Sequence, residues 1–195
     1  IKQIPFVIYL PIILSQDEAK AALGIPLENT VLGFRAIPSP FKGVDLILSV
    51  LRELSRRYPK LPLTVITFEH TDYCKELSAH WQIIDAGWVH GSEIASYYSA
   101  MDYFLMPSRA EAFGMMGIES MASGAIPLVT YGTALSSLVA APELGMAAQH
   151  NHDDYFDLVE RVIMTKRANQ DLRSRCIKFA KQHYSLEHFC KNMAI

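Results

Sequence analysis

The sequence predicts an α/β domain, a Rossmann-like doubly wound parallel sheet with helices on both faces. Two observations carry this expectation. Short runs that are apolar throughout alternate with segments of helical period, and a strand with no polar face must be covered on both sides. The chain is also long enough for one core of ordinary size, with 195 residues of which 50% are hydrophobic.

Taken in order, Ile4 to Tyr9 is a short apolar β-like stretch within a lead-in over residues 1–14. Ser15 then heads a helical segment, Asp17 to Leu23, with Gly24 and Pro26 as its stop. Thr30 to Arg35 is an apolar run of strand length, followed by a loop with Pro38, Pro40 and Gly43. The next segment, Val44 to Tyr58, carries Leu46, Ile47, Val50, Leu51 and Leu54 on one helical face. Leu63 to Phe68 predicts a strand, Thr71 to Trp81 a helix, Gln82 to Ala86 a strand and Glu93 to Met101 a helix. Asp102 to Met106 is a strand, Gly114 to Ser123 a helix and Ile126 to Thr130 a strand. Two or three helices fill Asp153 to Met193, with no strand among them. The expected division is a lead-in or hinge over 1–14, one domain over 15–182 and a closing helix over 183–195.

Composition removes several classes of function. Eighteen basic and 20 acidic residues leave a net charge of −2, so no broad basic face exists for a nucleic-acid partner or an anionic membrane surface. No apolar run is long enough to span a bilayer, since the stretch from Ile4 to Leu14 is broken by Pro5 and Pro11. Cys74, Cys176 and Cys190 stand in no metal or redox spacing and read as packing residues in a reducing compartment. The histidines form no pair with a glutamate at zinc-binding spacing, and His150 and His152 read as a solvated turn. The chain begins at Ile1, in mid-pattern, which suggests a piece of something longer.

In an open parallel sheet ligands bind outside the carboxyl ends of the strands, so the loops after strands are where chemistry is sought. FRAIPSPFKG puts Arg35 at a strand end and Lys42 before Gly43 at a helix start. Two cations beside a positive helix end are unfavourable unless an anion sits between them; the alternative is that both point to water. PSRAEAFGMMGIES holds Glu111 in the loop and Glu119 inside the helix, with Phe113, Gly114 and Met115 between them. A carboxylate on the apolar stripe at Glu119 requires a partner, and ligand hydroxyls or an ordinary lysine would each serve. Gly114 would let a ligand approach free helix-terminal N–H groups. The third loop, Gly87-Trp88-Val89-His90-Gly91, would hold a flat base or be a simple turn with a half-buried tryptophan. No G-x-G-x-x-G, P-loop or G-x-S-x-G motif occurs.

From about Leu23 to Met193 the chain resembles the carboxyl-terminal half of a retaining GT-B glycosyltransferase, of the group 1, family 4-like kind. The resemblance rests on TVLGFRA…FKGVDLIL, AGWVHGSEIASYYSAMDYFLMPS, PSRAEAFGMMGIESMASGAIP and HYSLEHF, in that order. Its most specific part is E-x7-E with Phe-Gly after the first glutamate, joined to Lys-Gly-Val-Asp at a helix start.

The resemblance implies a donor domain for a nucleoside-diphosphate sugar, with Arg35 and Lys42 gripping the diphosphate. It implies Glu111 on the sugar with backbone amides at Phe113, Gly114 and Met115, and Glu119 on the ribose. Trp88 and Val89 would cover the base, Gly43 would open the helix beside the phosphates, and Gly132 and Thr133 would make a further donor contact. No metal and no cofactor is implied. The acceptor site would lie in an N-terminal domain of the same enzyme, so this piece alone is expected to transfer little or no sugar. Polysaccharide or glycoconjugate synthesis on the cytoplasmic side, beside a membrane in the full-length protein, is the implied setting. A non-catalytic nucleotide-sugar module, and then a GT-B epimerase, are the alternatives. The chain departs from the family pattern where TFEHTD replaces a glycine-rich turn after the second strand and where YGTALSSL follows Thr130.

Overall fold

The computed structural model describes residues 7–8, 14–69, 72–89, 91, 93–140, 144–165 and 170–193. Most of the lead-in expected over residues 1–14 therefore lies outside the described residues.

Ser15 opens the first helix, α1 (Gln16–Ala22), through a reciprocal cap with Glu18: each side chain bonds the other's backbone N–H. Strand β1 (Thr30–Ala36) leads to α2 (Val44–Arg57), and β2 (Leu63–Glu69) to a 3₁₀ helix over Asp72–Ala79. An ordinary helix is expected there from sequence. The tighter turn stacks residues three apart, which puts Cys74 and Leu77 on one buried line. Then come β3 (Gln82–Gly87), α3 (Glu93–Ala100), β4 (Tyr103–Met106), α4 (Met115–Ala122) and β5 (Ile126–Thr130). Two further elements, α5 (Ala134–Ala140) and the strand β6 (Met146–Ala148), follow before the helices α6 (His152–Met164), α7 (Gln170–Tyr184) and α8 (Leu186–Met193). Strand β6 is not among the strands expected from the sequence, which predicts none between Thr130 and Asp153. With only Met-Ala-Ala it is too short to announce itself in sequence.

The sheet runs β3-β2-β1-β4-β5-β6, and all five pairings are parallel. This is the doubly wound α/β architecture expected from the sequence. Alternate residues of each strand feed two apolar layers. Leu32, Phe34, Leu63, Val65, Tyr103 and Leu105 pack toward α2, α6 and α7. Val31, Ile66, Phe68 and Phe104 pack toward α1 and α3 with Tyr98 and Met101. Gly33 faces the second layer because nothing larger fits, since a Cβ there would stand 2.2 Å from the Met101 sulfur. Burial of Cys176, whose thiol is pushed up to about 12, agrees with its reading as a packing residue. Cys190 does not, being exposed on α8.

Arg173 on α7 ties the second half together. Its guanidinium donates to the carbonyls of Met101 (2.8 Å), Ser99 (2.7 Å), Gly124 (3.2 Å) and Ser123 (3.3 Å). Burial pulls it below the usual arginine value, and it remains a donor because arginine stays charged under such pressure. Replacement by Met keeps the aliphatic stem and strands four carbonyls. Arg173→Met is expected to cost about 3 kcal/mol, a lowered urea midpoint with an unchanged slope.

Candidate functional site

Strand order reverses at β1: the chain leaves it toward β2 on one side and returns to β4 on the other. A crevice opens outside the carboxyl ends of strands at such a point. Here it is a hollow of about 250 Å³, lined among others by Arg35, Lys42, Ser108, Glu111, Gly114 and Met115.

Two helices begin at this hollow, and each is capped by a glycine in the left-handed region with no side-chain cap. Gly43 (φ 69°) opens α2 and Gly114 (φ 84°) opens α4. The first-turn N–H groups of both helices are thus left without a capping side chain, the usual condition for an anion site when charge partners are at hand. Gly43 is also fixed by space, because a Cβ would lie 2.0 Å from the Pro107 carbonyl oxygen.

The partners are present. Lys42 Nζ donates to Glu111 Oε2 at 2.7 Å, with the lysine side chain 32% exposed and the glutamate 13%. Arg35 binds Glu69, Nε to Oε1 at 2.6 Å, with Nη2 on the same oxygen. The reading in which both cations simply point to water is overturned, since each is held by a carboxylate. Arg109, which the sequence analysis passes over, joins the two loops. Its guanidinium makes a two-pronged pair with Asp45 (2.9 and 2.7 Å) and donates to the Pro40 carbonyl, while its backbone N–H reaches Phe41 O.

Phe113 packs edge-on against Tyr184 at the end of α7, 5.9 Å between ring centres. Glu119 lies one turn beyond Met115 and Met116 on α4, outside the lining of the hollow. Burial raises its carboxyl above the ordinary 4.5, and the Tyr98 hydroxyl acts in the opposite direction. The ordinary lysine partner considered for Glu119 is not found among the described residues.

Other expected site residues stand apart. Trp88 is 65% exposed and Val89 packs on the second core layer, neither of them in the hollow. His90 lies outside the described residues. Gly132 is exposed at φ 87° with open space around it. Thr133 is buried and its hydroxyl is spent locally, donating to Thr130 O and accepting from Ser136 N, so it serves as a cap for α5. That loop still touches the site through the backbone, Ala134 N to Glu111 O at 3.3 Å. The histidines are not a solvated turn: His150 is half-buried beside Thr130, and the His152 ring lies 3.2 Å from Glu53.

Comparison with known proteins bears on this arrangement. The family model described as glycosyl transferases group 1 matches residues 15–183. The D-inositol 3-phosphate glycosyltransferase of Corynebacterium urealyticum is 28% identical over 193 residues, covering 91% of this chain and 45% of that protein. Among solved structures, HepE of Anabaena in complex with UDP and glucose superposes with a TM-score of 0.71 at 19% identity, over 92% of this chain and 50% of that one. The C-terminal domain of a group 1 glycosyl transferase (LpcC) from Francisella tularensis gives 0.70 at 18% identity, over 91% of this chain and 96% of that one. The fold is therefore the GT-B half that the resemblance implied. The chain spans about half the length of the curated relatives it matches.

Glu119 yields a stability test. Its value is higher folded than unfolded, so its contribution to folding is fully present below about 4.5 and is lost as pH rises through the folded value. Glu119→Gln is expected to raise the melting temperature at neutral pH, with the difference closing as pH falls below the unfolded value. Thermal melts across a pH series measure this.

Proposed function

Because the chain belongs to the glycosyl transferases group 1 family, we propose that it is the donor-binding half of a retaining, metal-independent glycosyltransferase that uses a nucleoside-diphosphate sugar. The observation that carries this reading is the Lys42–Glu111 pair at 2.7 Å, set between two glycine-capped helix starts in one hollow.

Each part has a task set by its chemistry. Lys42 and Arg35 meet the diphosphate, whose charge grows as the bond from the sugar's anomeric carbon to its phosphate oxygen breaks. First-turn N–H groups of α2 and α4 add fixed dipoles aimed at the same charge. These cations and dipoles do the work that a divalent ion performs in other transferases. Glu111, released from Lys42 when phosphate takes the ammonium, faces the sugar, which carries positive character in the transition state. Glu119 receives the ribose hydroxyls at the far edge of the site. The hollow is smaller than the roughly 300–1,000 Å³ that encloses a drug-sized ligand. It suits the sugar and phosphates, with the base outside it toward Trp88 and Val89.

The acceptor belongs on an N-terminal domain of the complete protein, and this chain alone is expected to bind donor and transfer little. UDP and glucose in the Anabaena protein support a nucleotide donor for the fold. The cytoplasmic setting, close to a membrane, and a role in polysaccharide or glycoconjugate assembly are part of the same reading. Among the described residues no helix is long and apolar enough to cross a membrane.

Titration of this chain with UDP and with uridine, in the presence of a chelator, tests the site. Lys42→Ala should weaken UDP by at least about tenfold, the scale of a charge-assisted contact, and leave uridine unchanged. Equal loss for both ligands would reduce Lys42 to a structural residue. In the complete protein, the product should keep the anomeric configuration of the donor, and transfer should survive chelation. Inversion of configuration removes the retaining assignment.

A further inference from the structure

Glu69 is the sole non-glycine residue with a positive φ (74°) among the described residues. Side chains of this conformation are crowded against the following carbonyl, and the cost is tolerated where the surroundings impose it. Register shows what the conformation achieves. Arg35 of β1 lies level with Phe68 of β2, and Ala36 lies level with Glu69. Successive strand residues point to opposite faces, so a regular continuation would put Glu69 on the Ala36 face, away from Arg35. Rotation about φ by roughly half a turn swings the Cβ to the other side. The carboxylate then reaches the Arg35 guanidinium at 2.6 Å and is itself mostly buried, 15% exposed.

We propose that Glu69 is a specificity-determining residue that holds one of the two cations of the donor site in check, so that a phosphate must displace or share its carboxylate to reach Arg35. The proposal rests on the donor-binding reading above. A carboxylate on Arg35 cancels much of the positive potential at that edge of the hollow and repels an incoming phosphate. With Lys42 held by Glu111 as well, the two cations are matched by two carboxylates, which penalises ligands carrying phosphate charge without sugar or base contacts to repay it. Free phosphate and pyrophosphate are thereby disfavoured more than a complete nucleotide sugar.

The test is UDP and pyrophosphate affinity of the unchanged chain, Glu69→Gly, Glu69→Gln, and each in an Arg35→Ala background. Glycine adopts φ 74° freely and removes the charge; glutamine removes the charge at constant size and keeps the test open if the glycine variant folds poorly. Glu69→Gly is expected to bind UDP about tenfold more tightly and Glu69→Gln about threefold, with larger gains for pyrophosphate and none in the Arg35→Ala background. Unchanged or weaker binding in both single variants, while Lys42→Ala still loses UDP, overturns the proposal and leaves the donor reading standing; Glu69 would then orient Arg35. A gain that persists without Arg35 also overturns it. Binding of neither UDP nor pyrophosphate by any chain, the latter being independent of the base, removes the donor reading and this proposal together.

Discussion

The site depends on one topological constraint: β1 is flanked by β2 on one side and β4 on the other, so the chain leaves the two central strands in opposite directions. Among the described residues a hollow opens between those exits. Both following helices, α2 and α4, then begin at the same hollow, and their dipoles point into it. An ion pair such as Lys42–Glu111 would be of small value on an open surface. In the hollow it is half-sheltered, and each charge is held by the other.

Electrostatic balance lets charged side chains gather at the hollow. Four charged side chains converge on it or its rim, two of each sign, and every one has an opposite partner within hydrogen-bonding distance. Two lone cations at the positive ends of two helices would oppose folding. Paired as they are, they cost little, and in the proposed donor complex phosphate would offer the cations an equal or better partner. Among the described residues Glu119 has no such cation, and burial lifts its carboxyl. On the proposed donor reading, that position would trade stability for a carboxylate facing the ribose.

Much of this was legible in the residues. Continuous apolar runs announced β1, β2, β4 and β5, and the Gly43 and Gly114 breaks placed the two helix starts that matter. Lys42, Glu111 and Gly114 lie after strands and Arg35 at a strand end, and the fold brings them to one hollow. What escaped has physical reasons. The strand β6 is three residues long, held by its neighbour β5 more than by any pattern of its own. Arg109 and Arg173 look like surface arginines in sequence; only tertiary geometry reveals that one clamps two loops and the other satisfies four carbonyls. The hydroxyl of Thr133 could serve a ligand or a helix end equally well, and the contest was decided by Ser136 three residues on.

Backbone conformation separates the parts of the site that are built for free from the part that is not. Gly43 and Gly114 take positive φ at no steric cost and let backbone N–H groups approach a ligand. Glu69 takes a similar φ at a cost, and its carboxylate holds Arg35, which lines the same hollow. The energy stored there is of the order of 1–3 kcal/mol for a strained residue, comparable to one charge-assisted hydrogen bond. A carboxylate held on Arg35 by a bond of that size is therefore close to balance. Under the proposal, small changes in what approaches Arg35 would then decide whether Glu69 stays, the behaviour of a residue that discriminates among anions rather than one that only props up the sheet.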